Sequence, residues 1–260
     1  MSNMPSLIQE SIPNLLYHPL RKMRNFVRHL PYRRGKDRFC PICEKYSARF
    51  AAFGSHARSD AQCLRCGSLE RERFVWLYFK KETTLFDGKK KRMLHLAPEP
   101  AIEVRLKESL GKSYLTADLS GTRVMVTMDI TNIHFPDNHF DVIFCSHVLE
   151  HVPDDAKAIR ELARVLNPAG WAILMVPIKV DRTFEDLSIT GPRERKRIFG
   201  QEDHVRIYGK DFVNRVEKNG FEVSIVGPAD FLAPEEIQRM GITSFAGEIF
   251  LCYKKSTVAK

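Results

Sequence analysis

Four cysteines near the start of the chain have a spacing that suits metal binding. Cys40 and Cys43 form one Cys-x2-Cys pair, and Cys63 and Cys66 form a second pair beyond residues 44–62. Each pair directs two sulfur atoms to one point, so two pairs can complete a tetrahedron of thiolates around zinc. Because protein sulfurs fill all four positions, we expect a structural zinc ion, with free or redox-active thiols as the alternative.

Two carboxylates follow consecutive predicted strands further along the chain. The apolar run RMLHLAP, residues 92–98, predicts a first strand, and Asp118 ends a second strand about 20 residues later. A carboxylate at that point commonly accepts the hydroxyl protons of a ribose diol. Asp129 follows a third, short strand, where its carboxylate can accept an adenine amino group. The sequence thus indicates a nucleotide-type cofactor, although the loop at residues 97–100 (APEP) lacks the glycines usual in such a site.

A general base is a further candidate at the same edge of the predicted sheet, because the pKa of imidazole lies near neutrality. His147 follows the predicted fourth strand, FDVIFCS. In a helix that begins there, His147, Glu150 and His151 would share one face. His147 is therefore a candidate catalytic base, with structural packing of the histidine as the alternative.

A basic patch, GPRERKRIFGQEDHVRIYG, follows the predicted fifth strand over residues 191–209. Arginines in such a patch can clamp a phosphate or carboxylate of a substrate. Charged, aromatic and apolar residues interleave in its second half. We therefore expect His204 to be a second candidate catalytic residue, and Arg206 and Tyr208 to bind substrate. A solvated basic loop is the alternative interpretation of the charge run.

Alternating strands and helices are predicted from about residue 68 to the C-terminus, and they must position these distant side chains. Such alternation predicts an α/β fold with a doubly wound, Rossmann-like, mostly parallel seven-stranded sheet and helices on both faces. In such a sheet the ligand lies beyond the carboxyl ends of the strands. The predicted domains are a basic segment at 1–38, a small zinc-binding module at 39–67 and the α/β domain at 68–260.

The block MDITNIHFPDNHFDVIFCSHVLEHVPDDAKAIRELARVLNPAGWAILMVP, residues 128–177, resembles the core of class I S-adenosylmethionine-dependent methyltransferases, of the type 11-like kind. The family pattern is an acidic residue, FPD..FD, an apolar strand, HVLEH, a helix and RVLKPGG. The resemblance implies that Asp118 binds the ribose of S-adenosylmethionine and that Asp129 and Ile130 hold its adenine. It also implies that Ser146 lines the pocket near the sulfonium.

The first motif of that family departs from its usual form in this chain. An acidic residue-x-Gly-x-Gly sequence is replaced by His95-Leu-Ala-Pro-Glu99. S-adenosylmethionine has no pyrophosphate, so the need for bare backbone is weaker than in a dinucleotide site. We therefore expect the small Ala97 to let the chain pass close to the cofactor, and Glu99 to face the ammonium group of its methionine portion.

Composition and charge limit the class of protein further. The chain is 43% apolar and 28% charged, as is ordinary for a soluble globular protein. We expect a cytoplasmic protein, since no apolar run is long enough to span a bilayer and no secretory signal is evident. Residues 1–38 hold eight basic and two acidic side chains, which gives +6 of the formal net charge of +9. A basic amphipathic helix predicted at 19–30 either packs on the protein itself or touches an anionic membrane at its inner face.

The leading functional prediction is a methyltransferase that uses S-adenosylmethionine and carries a structural zinc ion. Its acceptor would be a hydroxyl or nitrogen of a small or glycan-type molecule. An RNA methyltransferase, in which the zinc module and the basic segment bind RNA, is the first alternative. A non-catalytic binding module with a degenerate cofactor site is the second alternative, which the altered first motif leaves open.

Overall fold

The computed structural model describes residues 31–54, 57–121 and 123–255. The predicted amphipathic helix at 19–30 lies outside these residues, as does most of the predicted basic segment at 1–38. Within the described residues, no helix is both long enough and apolar enough to cross a membrane.

Strands and helices of the described residues are numbered here in chain order. The strands are β1 (Arg38–Cys40), β2 (Lys45–Ser47), β3 (Ala51–Phe53), β4 (Arg58–Gln62), β5 (Met93–Leu96), β6 (Tyr114–Asp118), β7 (Val126–Thr127), β8 (Phe140–Ser146), β9 (Leu166–Met175), β10 (Ile178–Val180), β11 (Phe184–Glu185), β12 (Arg206–Gly209), β13 (Phe221–Val226) and β14 (Ile249–Lys254). The helices are α1 (Glu70–Lys81), α2 (Pro100–Leu110), α3 (Asp155–Val165), α4 (Pro192–Phe199), α5 (Phe212–Glu217) and α6 (Pro234–Arg239).

A seven-stranded sheet forms the centre of the fold, in the order β13-β14-β9-β8-β5-β6-β7. β14 runs antiparallel to both of its neighbours, and the other neighbouring pairs are parallel. The predicted doubly wound, mostly parallel sheet is thereby confirmed. The chain moves outward from β5 to β6 and β7 and then returns to β8 on the other side of β5. This reversal leaves a crevice beyond the carboxyl ends of β5 and β8, where ligands bind in open α/β sheets.

Two short hairpins form the cysteine-rich segment. β1 pairs antiparallel with β2, and β3 pairs antiparallel with β4. Phe39 lies opposite Tyr46 across the first hairpin, with ring centroids 4.9 Å apart. Cys40 ends β1 and Cys63 follows β4, so each hairpin delivers one Cys-x2-Cys pair from the end of a strand.

Apolar side chains cover both faces of the sheet, because central parallel strands are buried on both sides. One cluster joins Ile42 and Phe50 of the cysteine-rich segment to Trp76 of α1 and Phe144 of β8. The other cluster joins the sheet to α3 and α5. The cysteine-rich segment therefore packs directly on the α/β domain and shares its apolar core.

Residues 191–209 contain a helix and a strand and are not the basic loop of the alternative interpretation. α4 begins at Pro192, whose fixed φ suits the first helical turn. It ends before Gly200, which takes the left-handed conformation at φ +91°. β12 then pairs with β10 and β11 in a small separate sheet. The second half of the patch is thus built into the fold.

Candidate functional site

A cleft of about 640 Å³ opens at the carboxyl ends of β5, β6 and β8. Five of the predicted site residues line the cleft, namely Ala97, Asp118, Asp129, Ile130 and His147. The remaining lining residues are Ala117, Leu119, Ser120, Met128, Thr131, Val148, His151, Val152, Pro153, Asp154 and Asp203. The volume lies in the range typical of small-molecule sites. The structure therefore brings together, in one cavity, residues that are widely separated in sequence.

Asp118 and Asp129 are held in similar local geometry at the ends of neighbouring strands. The Oδ1 atom of Asp118 accepts a hydrogen bond from the amide of Ser120 at 3.1 Å. The Oδ1 atom of Asp129 accepts one from the amide of Thr131 at 2.8 Å. Such Asx turns fix the orientation of a carboxylate at the end of a strand. Both side chains thus present acceptor oxygens at the cleft in a defined direction.

Ala97 has a backbone conformation that usually requires glycine. Its φ is +45°, and its amide donates to the carbonyl of Ala117 at 2.9 Å. His147, at the end of the adjacent β8, is also left-handed at φ +56°, and its amide donates to the carbonyl of Met175 at 2.8 Å. Non-glycine residues in this region cost about 1–3 kcal/mol each and tend to cluster at functional sites. The glycine-free loop therefore takes, at Ala97, a left-handed backbone conformation that glycine adopts more readily.

A buried carboxylate orients His147. The Nδ1 atom of His147 lies 3.1 Å from Oε1 of Glu150, whose exposed fraction is 1%. Burial alone would raise the pKa of Glu150, but the hydrogen bond and charge of His147 hold that pKa below its ordinary value. Glu150 belongs to a short 3-10 turn, Leu149–His151, so the helix predicted to begin at His147 is wrong. The positive φ of His147 prevents a helix from starting there and turns its ring toward Glu150.

Glu99 does not reach the cleft surface, in contrast to its predicted role at the cofactor ammonium. Its carboxylate is buried, with Oε2 at 3.0 Å from Nε2 of His95 and Oε1 at 3.8 Å from Nε of Arg71. Burial works against its ionisation, yet the hydrogen bond from His95 holds the pKa of Glu99 below its ordinary value. Ser146 is likewise buried beneath the cleft rather than lining it. Glu99 thus connects the loop after β5 to β5 itself and to α1.

Arg206, which the sequence predicts to bind substrate, is buried in the structure. Only 1% of the residue is exposed, and its guanidinium donates to the carbonyls of Leu149 and Pro153, each at 2.8 Å, and to that of Val152. Its Nε also donates to Glu185 at 2.9 Å. These donors are therefore engaged in holding the loop that lines the cleft.

Tyr208, the other residue predicted to bind substrate, is buried as well. Its hydroxyl donates to Oδ2 of Asp155 at 2.5 Å, and its ring packs on Phe212 with centroids 4.8 Å apart. Burial and the Asp155 carboxylate raise the pKa of Tyr208 well above its ordinary value. Tyr208 is thus a core residue that anchors the start of α3.

His204 lies behind the cleft, beside a histidine that lines it. Only 3% of His204 is exposed, and its ring meets that of His151 edge-on with centroids 4.6 Å apart. Burial and the neighbouring His151 lower the pKa of His204. The Nδ1 atom of His151 lies 3.2 Å from Oδ2 of Asp203, a cleft residue that sequence reasoning missed. No spacing signal relates Asp203 to a histidine so distant in the chain.

The four predicted zinc ligands converge at one point. All four Sγ atoms lie within 4.8 Å of one another, with Cys40 and Cys66 at 3.6 Å and Cys43 and Cys63 at 3.8 Å. Zn–S bonds of 2.3 Å in a tetrahedron separate the sulfur atoms by about 3.8 Å. The arrangement of the thiols therefore fits a tetrahedral metal ion.

The segment that forms much of the cleft is similar to known proteins. A family model described as a methyltransferase domain matches residues 101–174. The ubiquinone biosynthesis O-methyltransferase of Albidiferax ferrireducens is 38% identical over 52 residues, which are 20% of each chain. The ubiquinone/menaquinone biosynthesis C-methyltransferase of Pseudomonas aeruginosa is 36% identical over 61 residues, which are 24% of each chain. The matched region thus spans only a fifth to a quarter of these curated relatives.

Solved structures of low sequence identity are also similar to this chain. An S-adenosylmethionine-dependent methyltransferase from Mesorhizobium loti is 17% identical, with a TM-score of 0.48, and the match covers 69% of this chain and 97% of that one. The YcgJ protein from Bacillus subtilis is 14% identical, with a TM-score of 0.45, and the match covers 70% and 98%. Residues 101–174 thus match a methyltransferase domain, in agreement with the predicted S-adenosylmethionine-dependent class.

Proposed function

We propose that this protein transfers a methyl group from S-adenosylmethionine to a hydroxyl or nitrogen of a small-molecule or glycan-type acceptor. One observation carries the proposal above the others. The cleft brings Asp118, Asp129 and a carboxylate-oriented His147 together at the switch point of a sheet whose residues 101–174 match a methyltransferase domain.

The residues of the cleft fit the cofactor. Asp118 offers a strand-end carboxylate to a ribose diol, and Asp129 offers one to an adenine amino group. Ile130 and Met128, which flank Asp129, supply apolar surface for a flat ring. Ala97, in its left-handed turn, brings main chain to the cleft wall without a bulky side chain. When bound, S-adenosylmethionine supplies a methyl group already activated on a sulfonium.

The protein's own contribution would be alignment of the acceptor, exclusion of water and removal of a proton. Glu150 accepts the Nδ1–H of His147, which fixes the tautomer and leaves Nε2 as the proton acceptor. In this mechanism Nε2 of His147 would accept the proton that the acceptor hydroxyl loses during methyl transfer. The charge of Glu150 would stabilise the imidazolium that forms, because Glu150 is buried and lies only 3.1 Å from His147.

A hydroxyl acceptor is favoured over a carbon acceptor. The two relatives described above are named as an O-methyltransferase and a C-methyltransferase of quinone biosynthesis. A hydroxyl must lose a proton during methyl transfer, and a histidine oriented by a carboxylate is the arrangement suited to that step. The His147–Glu150 pair therefore supports oxygen methylation here.

Transfer of labelled methyl groups to fractionated cell extract tests the function and identifies the acceptor. Once an acceptor is found, His147→Gln should lower kcat by about 10²–10⁴-fold, since this is the range for loss of a general base. Cofactor affinity should stay within about threefold. His139→Gln is the matched control, because His139 precedes β8 and lies at the opposite edge of the sheet. Binding of S-adenosylmethionine with no transfer to any fraction would support the non-catalytic alternative instead.

We also propose that the four clustered cysteines hold a structural zinc ion. Arg73 supports the assignment, since it is buried close to the thiols and donates to the carbonyls of Ser68 and Ala61 at 2.7 and 3.0 Å. A thiolate cluster around one zinc ion carries a net negative charge, which a buried guanidinium offsets. Elemental analysis of the purified protein should find one zinc per chain, and Cys63→Ser should lose it.

RNA methylation remains a second candidate, favoured by one surface feature. A groove of about 650 Å³ lies between the cysteine-rich segment and α2 and is bordered by Lys80, Lys89, Lys90, Lys91 and Arg105. Such a groove suits a phosphate backbone. Reversal of two of these charges, Lys89→Glu with Lys90→Glu, should abolish a salt-dependent shift of structured RNA if this candidate is correct. No shift of the unaltered protein at low salt would exclude it.

A further inference from the structure

We propose that Glu150, His151 and His204 bind a divalent transition-metal ion at the wall of the cleft. One ligand atom from each residue lies within 4.8 Å of the other two. An ion with bonds of about 2.1 Å places its ligand atoms about 3–4 Å apart, so inward movements of about 1 Å would complete the site. The three residues come from the turn after β8 and from the segment before β12, which are distant in sequence.

Two of the three ligands carry buried atoms without partners. Oε2 of Glu150 and Nε2 of His204 make no hydrogen bond to any residue that the structure describes. Their residues are 1% and 3% exposed, so bulk water does not satisfy them. A buried polar atom without a partner costs about 1–3 kcal/mol. A shared cation would satisfy both atoms at once.

In two of the ligands, the nitrogen or oxygen atom that would not bind the ion already has a hydrogen-bonding partner, as is usual for metal ligands. Nδ1 of His151 lies 3.2 Å from Asp203, and Oε1 of Glu150 lies 3.1 Å from His147. A carboxylate on one imidazole nitrogen fixes the tautomer and leaves the other nitrogen to bind a metal. The hydrogen bond from His147 likewise directs the remaining oxygen of Glu150 away from that ring. These contacts pre-orient the set before an ion arrives.

Local charge favours a cation, and the ligand types narrow its identity. Asp154 and Asp203, which line the neighbouring cleft wall, contribute two negative charges. Lys179, close to His204, contributes one positive charge. Two imidazoles with one carboxylate suit Zn²⁺, Fe²⁺, Co²⁺ or Ni²⁺ better than Mg²⁺ or Ca²⁺, which prefer oxygen ligands. Three protein ligands leave at least one coordination position open. If the proposed function holds, that position would polarise an acceptor oxygen, but metal binding itself does not depend on that function.

Titration with Co²⁺ tests the site in the full-length, zinc-containing protein. Cobalt at the cysteines would show an intense thiolate-to-metal charge-transfer band, whereas a nitrogen and oxygen site shows only weak d–d bands. We expect one equivalent of Co²⁺ to bind with d–d bands and no charge-transfer band. His204→Gln and Glu150→Gln should each weaken this binding at least 100-fold, and Asp203→Asn should weaken it about 10–100-fold. His139→Gln should leave it unchanged.

The outcomes separate this proposal from its alternatives. No binding of Co²⁺ at millimolar concentration, or equal binding in His204→Gln and the unaltered protein, would overturn the metal site and leave a buried hydrogen-bonding cluster. Circular dichroism and calorimetric titration with S-adenosylmethionine confirm that each variant is folded. Because cofactor affinity is measured separately, cobalt binding without cofactor binding would contradict the proposed function and not the metal site.

Discussion

Replacement of Arg206 by methionine tests whether this residue supports the cleft or binds the acceptor. The guanidinium of Arg206 holds the carbonyls of Leu149, Val152 and Pro153, in the loop that carries His151 into the cleft. Methionine retains much of the apolar stem but donates no hydrogen bond. The substitution therefore removes the donors from this loop while largely preserving the volume of the side chain.

The contacts of Arg206 give the expected size of the effect. The carbonyl of Leu149 keeps a contact with the hydroxyl of Tyr208 at 3.3 Å, but those of Val152 and Pro153 lose their partner. Each orphaned carbonyl costs about 1–3 kcal/mol. Loss of a buried charge beside Asp155 adds a further penalty. We expect the free energy of unfolding to fall by about 3–5 kcal/mol, a large fraction of the typical total.

Urea unfolding followed by circular dichroism, with calorimetric titration of S-adenosylmethionine, measures both consequences. Arg206→Met should lower the unfolding free energy by this amount and weaken cofactor binding through the displaced loop. Arg193→Met, an exposed position in the same basic patch, should stay within about 0.5 kcal/mol. A change below about 1 kcal/mol in Arg206→Met, combined with a raised KM for the acceptor, would refute this reasoning and restore the substrate-binding interpretation.

Three further predictions concern other parts of the fold. Burial and the neighbouring Glu99 carboxylate raise the pKa of Glu72 to about 7. Between about pH 4.5 and 7 the folded protein therefore keeps a proton on Glu72 that the unfolded chain releases. The free energy of unfolding should fall as the pH rises through this range. Glu72→Gln should recover up to about 3 kcal/mol at pH 8 and nothing at pH 4; an unchanged pH slope of the unfolding free energy would contradict this. Ala97→Gly should leave the stability unchanged or raise it by up to about 1 kcal/mol, because glycine takes the left-handed conformation without strain. The control Ala156→Gly, inside α3, should lower the stability by about 1 kcal/mol. Equal losses of stability in thermal denaturation would count against strain at Ala97. Removal of the proposed zinc with a strong chelator should red-shift the tryptophan fluorescence. The reason is that the indole of Trp76 donates, at 3.0 Å, to the carbonyl of Pro41, which lies between the first two cysteines. An unshifted spectrum after complete zinc loss would show that the metal does not hold this contact.

The main features of the sheet and the centre of the site could be predicted from local sequence. Apolar runs specify buried strands, and a residue that ends such a run is carried to the carboxyl edge whatever the distant sequence is. Asp118 and Asp129 both follow strands in this way and both line the cleft. The cluster of four cysteines could be predicted for a similar reason, because each Cys-x2-Cys pair is a local unit.

The roles of Glu99 and Arg206 could not be read from sequence, because long-range partners determine them. Glu99 is turned inward by His95 of β5 and by Arg71 of α1. Arg206 looks like a surface arginine in a basic run, yet the carbonyls that it binds belong to a loop more than fifty residues away. Charge runs predict solvent exposure on average and do not reveal one member that satisfies buried main chain.

The loop after β5 illustrates how a missing motif can conceal retained geometry. The sequence shows that residues 97–100 lack the glycines usual in a cofactor-binding loop. This absence left open the alternative of a protein that no longer binds the cofactor. The left-handed φ of Ala97 shows that this loop takes a backbone conformation that glycine usually supplies. The inward orientation of Glu99 leaves the methionine end of the cofactor without the acidic partner that we expected from this residue.

Calorimetric titration of the purified protein with S-adenosylmethionine tests the central claim most directly, that the cleft beside Asp118 is a working cofactor site. We predict one site with micromolar affinity. Asp118→Asn should weaken it about 10–100-fold, as expected for loss of charged hydrogen bonds to a ribose, while Asp181→Asn on an exposed loop should bind like the unaltered protein. No heat at millimolar cofactor, or equal affinity in Asp118→Asn, would contradict the account.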